Sequence, residues 1–122
     1  MTERLGLGQL ALLVTYAIGM AGGQLLFKTA ALRMVGDRTF TARALSLVQD
    51  LPFISAIALY AALSVLWVWI LTFTPLSRAY PFVAIAFALT PLVGALVFSE
   101  PLSPRLLVGI AVIAVGLVLV VG

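Results

Sequence analysis

The chain has 122 residues, of which 64% are hydrophobic and 9% charged; seven basic and four acidic side chains leave a net charge of +3. A soluble domain is nearer half apolar and a quarter charged, and one this small exposes much of its surface, so the excess of Leu, Val, Ile and Ala implies that the solvent is lipid. The high pI rests on few, dispersed groups, which excludes a phosphate-tracking nucleic-acid surface; the absence of Cys and His excludes disulfides, thiol nucleophiles and the common zinc ligands.

Charged residues divide the chain into four uncharged runs, residues 5–27, 51–77, 79–99 and 106–122. A helix crossing ~30 Å of hydrocarbon needs about 17–25 residues, and each run suffices. Lipid admits only helices or closed barrels. Continuous apolar runs, rather than alternating ten-residue segments, select helices. The expected fold is an all-α membrane protein, a single domain over residues 1–122 with four transmembrane helices at about 5–30, 51–73, 79–98 and 104–121. The first run is too long for the core of a cleaved signal peptide, and Glu3 precedes it, so a retained span is expected.

In the first span, Gln24 and Lys28 stand four residues apart and share a face. By default such a Lys snorkels to headgroups and such a Gln bonds a neighbouring helix; the sharper reading is a polar notch for a lipid phosphate. Gly19 and Gly23 form a small-residue pair expected to pack against another helix. Residues 34–48 are the only long connection, with Arg38 and Arg43 beside Phe40, Leu45, Leu47 and Val48, and are read as a loop with a short interfacial helix. Asp50 and Pro52 open the second span. It carries Tyr60, Trp67, Trp69 and Phe73, expected as belt or packing residues, with Trp67 a candidate cavity lining.

The Thr74-Pro75-Leu76-Ser77 turn leads to Arg78, Tyr80 and Pro81 at the entrance of the third span. Arg78 anchors at headgroups by default, and Tyr80 offers a hydroxyl and a ring to a cavity. Pro91, after Thr90, predicts a kink. Glu100 and Arg105 flank the next loop, where a local ion pair is the default and a gate contact from Glu100 to Lys28 or Arg33 the alternative. Ser103-Pro104 caps the fourth span. There Gly109 and Gly116, seven residues apart, share a face and make, with Val112 and Ile113, a stripe suited to packing within or between subunits. All four acids (Glu3, Asp37, Asp50, Glu100) fall at predicted ends or loops, so no intramembrane acid is present to couple transport to protons. Arg4 and Arg78 lie on one side, and Lys28, Arg33, Arg38, Arg43 and Arg105 on the other. This favours a cytoplasmic first and third loop, with both termini outside.

The run Gly23-Gln24-Leu25-x-x-Lys28-x-Ala30, Trp67 before Pro75, the Ala79-Tyr80-Pro81 step and the Glu100-Pro101-Leu102-Ser103-Pro104-Arg105 loop occur in an order that resembles the four-helix members of the drug/metabolite transporter superfamily, over nearly the whole chain. Within it they are most similar to subunits of the aminoarabinose–undecaprenyl-phosphate flippase. The resemblance implies a bundle like that of the small multidrug resistance exporters, whose dimer seam would fall at Gly109, Val112, Ile113 and Gly116. Those exporters carry a membrane-embedded glutamate where this chain has Met20, a tryptophan at Val83, and a glycine kink near residues 85–87 that is absent here.

The resemblance therefore implies a flippase or flippase subunit for a polyprenyl-phosphate-linked sugar in the bacterial inner membrane. It requires no cofactor, metal, catalytic residue or nucleic acid. Lys28 and Gln24 would hold the phosphate, and Trp67, Tyr80 and Arg78 would line the sugar cavity and exit. Four helices enclose little volume, so a homodimer, or a heterodimer with a second small four-helix subunit, is expected among the membrane lipids. Two alternatives stay open: an exporter of hydrophobic cations, and a non-transporting subunit that supports a glycosyltransferase.

Overall fold

The computed structural model describes residues 6–34 and 39–121. The expectations resting on Glu3, Arg4, Asp37 and Arg38 lie outside those residues. Helix α1 is Leu7–Arg33, α2 Phe40–Gln49, α3 Leu51–Leu71 and α4 Leu76–Ala79; a 3-10 turn at Tyr80–Phe82 leads into α5, Val83–Phe98, and α6 is Pro104–Val121. The described residues contain no strand. Four segments are long and apolar enough to cross a membrane: Leu7–Arg33, Leu51–Leu71, Leu76–Phe98 and Pro104–Val121. The protein is an all-α, multi-pass membrane protein.

The helix boundaries follow local chemistry. The Thr39 hydroxyl accepts a hydrogen bond from the Ala42 amide (3.1 Å) and starts α2. The Asp50 carboxylate accepts from the Phe53 amide (3.2 Å) and starts α3. The Ser103 hydroxyl accepts from the Leu106 amide (3.1 Å) and starts α6, whose first residue is Pro104. Each cap satisfies an amide that the first helical turn leaves without a carbonyl. Helix α1 runs past Lys28 to Arg33 because the Arg33 guanidinium finds the Asp50 carboxylate. The third span opens at Leu76, on Pro75, and tightens to a 3-10 turn where Pro81 has no N–H to give the carbonyl four residues back.

A short helix, as expected within residues 34–48, forms at Phe40–Gln49. Phe40, Ala44, Leu47 and Val48 occupy one face, Arg43 stands at its edge, and Ser46 and Gln49 take the other. None of its residues is buried, as suits a helix lying in the headgroup region and covering apolar surface with lipid.

Helix α1 is the centre of the bundle, packed against both α3 and α5, whereas α6 rests on α5 and the 3-10 turn. The α1–α3 seam is glycine-based. A methyl group at Gly19 would meet the Leu63 side chain at 2.9 Å, and one at Gly23 would meet the Tyr60 ring at 2.6 Å. Phe27 stacks on the same Tyr60 ring, with centroids 5.3 Å apart. At the opposite end of the bundle, the Gln9 amide donates to the Phe73 carbonyl (3.1 Å) and the Thr74 hydroxyl (3.0 Å), and its oxygen accepts from the Gly6 amide (2.7 Å). Gln9 thereby ties the start of α1 to the turn after α3. Beside it lies the main buried cluster of Leu13, Ile70, Ala79 and Phe82.

Two outcomes test this packing. Gly23→Ala should destabilise the detergent-solubilised protein by roughly 1–3 kcal/mol through overpacking on Tyr60. Gly22→Ala, where a methyl group meets nothing within 4 Å, should be neutral or stabilising by up to ~1 kcal/mol; equal unfolding midpoints for the two variants would contradict the seam. Asp50→Ala removes a cap and the ion-pair partner of Arg33, and should cost on the order of 1–2 kcal/mol in the same assay.

Candidate functional site

Between α1 and α5 lies a cavity of about 390 Å³, lined by Met20, Gln24, Ala86, Phe87, Thr90 and Pro91. Its only side-chain polar groups are the Gln24 amide and the Thr90 hydroxyl. Gln24 donates to the Tyr60 hydroxyl (2.9 Å), and that hydroxyl donates to the Met20 carbonyl (2.9 Å). Tyr60 thus fixes the Gln24 amide from the α3 side. It can do so because Gly23 lets its ring lie directly against α1.

One turn beyond Gln24, Lys28 reaches the Glu100 carboxylate at 3.3 Å; both side chains are nearly half exposed. The loop after α5 explains the pairing. Ser99 ends α5 in the left-handed region (φ 55°), a conformation that costs a non-glycine residue about 1–2 kcal/mol. The chain then folds back, and a methyl group at Gly94 would lie 3.1 Å from the Glu100 carboxylate oxygen. Glu100 therefore turns toward α1, and the local Glu100–Arg105 pair does not form. Arg105 instead lines a second cavity, about 410 Å³, between α5 and α6 with Ser103, Leu106, Ile110 and Ile113.

The expected site residues fall into separate places. Gln24, Lys28 and Glu100 come together at one end of the α1–α5 groove. Trp67 and Tyr80 meet near the other end: the Trp67 ring stacks on Tyr16 (4.8 Å) and meets Tyr80 edge-on (6.3 Å). Tyr16 lies eight residues before Gln24, about 12 Å along the helix. Arg78 sits on α4 in the turn beside this aromatic group. On α6, Gly109, Val112 and Gly116 are exposed, and a methyl group on either glycine would meet nothing within 4 Å. Ile113 lines both cavities of the α5–α6 groove, and Gly109 lines the one beside Arg105. Trp69 stays exposed against Phe73, as a belt residue does.

Tyr16, Tyr60 and Thr90 are the residues that reading for motifs missed. Tyr16, Met20 and Gln24 recur every four residues, a spacing that does signal one face. For Tyr60 the signal is weaker, because only the α1–α3 register brings it to Gln24.

The chain is 32% identical over 111 residues to the "Probable 4-amino-4-deoxy-L-arabinose-phosphoundecaprenol flippase subunit ArnE" of Enterobacter sp. (strain 638), covering 91% of this chain and 94% of that protein. The chain belongs to this flippase-subunit family. The protein of the same name from Proteus mirabilis (strain HI4320) is 38% identical over 66 residues, 54% of this chain and 58% of that one. No family model and no solved structure matches. The family's assignment to lipid flipping agrees with a groove that carries a lysine at its end. Among the described residues, Asp50 and Glu100 are the only acids, and both stand at helix ends.

The Lys28–Glu100 contact is open to solvent and headgroups, so its coupling should be small. A double-mutant cycle with Lys28→Met and Glu100→Gln is expected to give below about 1 kcal/mol in unfolding free energy. A larger value would mean that the pair is structural rather than free to open.

Proposed function

We propose that this protein is one subunit of a flippase that carries a polyprenyl-phosphate-linked sugar from the cytoplasmic to the periplasmic leaflet of the bacterial inner membrane. The cargo is of the kind named in its relatives, 4-amino-4-deoxy-L-arabinose-phosphoundecaprenol. The observation that carries this reading is Lys28, held by a displaceable carboxylate at the end of a groove that no acid lines.

Lys28 supplies three donors and a positive charge to the phosphate. Glu100 stands in for that phosphate in the empty protein, and an entering headgroup exchanges with it. Because the pair is half exposed, the exchange costs little. The gate is thus a swap of one anion for another at Lys28, made possible by the fold-back of the α5–α6 loop over Gly94. The polyprenyl tail stays in lipid beside the groove, as apolar chains gain nothing by entering protein there. With no acid to couple protons, net transport follows the gradient of the lipid-linked sugar, maintained by its consumption outside. The Tyr16–Trp67–Tyr80 group lies on the exit half of the path, with Arg78 beside it.

The absence of a lining acid also weighs against export of hydrophobic cations, which would need a carboxylate where Met20 lines the cavity. The open face of α6, with Gly109, Val112 and Gly116, supports a partner helix, and pairing with a second small four-helix subunit completes the path. In vesicles containing the full flippase and the lipid-linked aminosugar, Lys28→Ala should lower flipping at least about tenfold, as expected for loss of a charge-assisted contact. Glu100→Gln should raise apparent affinity for the headgroup, most clearly at low salt. Unchanged transport by Lys28→Ala would remove the phosphate site.

A further inference from the structure

The α1–α5 cavity presents hydrogen-bond acceptors that the bundle does not use. In a lipid-embedded helix, a hydroxyl is ordinarily spent on the carbonyl four residues back. Thr15 donates to the Ala11 carbonyl (2.7 Å), Thr29 to the Leu25 carbonyl (2.9 Å) and Ser64 to the Tyr60 carbonyl (2.8 Å). Thr90 lines the cavity and makes no such bond. The next residue, Pro91, has no N–H, so the Phe87 carbonyl, one turn back on α5, loses its helical donor. Phe87 and Pro91 both line the cavity. Across from them, Tyr60 draws the Gln24 NH2 group to itself and so turns the Gln24 oxygen away from that contact. The Gln24 amide and the Thr90 hydroxyl thus share one recess with Phe87 and Pro91, which also line the α5–α6 cavity, and its other walls, Met20 and Ala86, are apolar.

Unsatisfied polar groups within a membrane are costly and are kept where a ligand or water completes them. The two carbonyl oxygens suit O–H and N–H donors and repel a phosphate, which has only acceptors to offer at its charged oxygens, while the unspent Thr90 hydroxyl can both donate and accept, as a sugar hydroxyl can. The phosphate therefore belongs to Lys28, one turn further along. The volume lies within the roughly 300–1,000 Å³ of small-molecule sites, ample for a sugar ring.

We infer that the recess between α1 and α5 is a sugar-reading subsite, in which Thr90, the Phe87 carbonyl and the Gln24 oxygen accept from the hydroxyl or ammonium groups of a glycosyl headgroup while Lys28 holds its phosphate. This rests on the flippase reading and divides its site in two. It moves Gln24 from the phosphate, where its place beside Lys28 in the sequence puts it, to the sugar. Thr90 becomes the residue that discriminates a glycosylated lipid from a bare one.

The test uses the full-length protein, in the assembly in which it flips lipid, with two probes: an aminopentosyl-phosphoryl polyprenol and the unsubstituted polyprenyl phosphate. Thr90→Val should lower the ratio of sugar-lipid to bare-lipid flipping roughly 5–10-fold, the loss of one hydrogen bond to the headgroup. Thr90→Ser should restore it. Lys28→Ala should lower both probes together and leave the ratio alone. An unchanged ratio in Thr90→Val, with the wild type transporting the sugar lipid, overturns the subsite and leaves the flippase reading standing; a loss shared equally by both probes does the same by making Thr90 structural. A wild-type protein that moves neither probe overturns the flippase reading and the subsite with it.

Discussion

The contact between Gly23 and the Tyr60 ring sets the geometry on which the polar interior depends. A helix pair in lipid gains nothing from hiding apolar surface, because lipid tails are equally apolar, so it associates through close packing and interhelical hydrogen bonds. Gly23 supplies both. Its missing side chain leaves room for the ring, and the ring's hydroxyl then lands between the Gln24 amide and the Met20 carbonyl. Any residue larger than glycine would push the ring away, and the orientation of Gln24 would go with it. The recess between α1 and α5 inherits its polarity from that one approach.

Charge is handled at the helix ends, where lipid gives way to headgroups and water. Asp50 is largely buried but fully used: one oxygen caps α3 and the other takes the Arg33 guanidinium. Removing Arg33 would leave the buried Asp50 carboxylate poorly compensated, so this pair reads as structure even though the Arg33 side chain is itself exposed. Lys28 and Glu100 differ in kind. Both are nearly half exposed, and neither caps a helix. The two ion pairs occupy the same end of the bundle, yet the surroundings make one a fixed joint and the other a contact that opens at little cost.

The bundle is unevenly finished. Helix α1 is covered on two sides, whereas α6 has no buried residue and touches the rest along one edge. For a soluble protein such a helix would be an error. In a bilayer it is neutral toward lipid and available to another helix, and Gly109 and Gly116, where a methyl group would meet nothing within 4 Å, permit close approach. An exposed α6 fits a family whose members are named as flippase subunits.

The spans, their caps and the interfacial helix were legible in the sequence because each depends on residues close together in the chain. Apolar run length set the number of helices, Asp50 and Ser103 with their following prolines marked the starts, and Arg43 beside Phe40, Leu45, Leu47 and Val48 signalled the short helix α2. The glycine pair at Gly19 and Gly23 was recognisable as a packing surface, though not what it packs against. The partner of Glu100 was undecidable from spacing: Arg105 is nearer in sequence, but the left-handed turn at Ser99 and the gap at Gly94 send the carboxylate to Lys28, 72 positions away. Likewise, Thr90 and Phe87 look like ordinary lipid-facing residues until Pro91 takes a donor from the Phe87 carbonyl and the packing of α5 on α1 brings both residues to line one cavity with Gln24. Sequence alone thus determined a four-span protein with its charge confined to the ends. Tertiary structure alone decided which of those charges meet and which polar groups remain unspent, because such contacts depend on helix register and loop handedness, which no local spacing encodes.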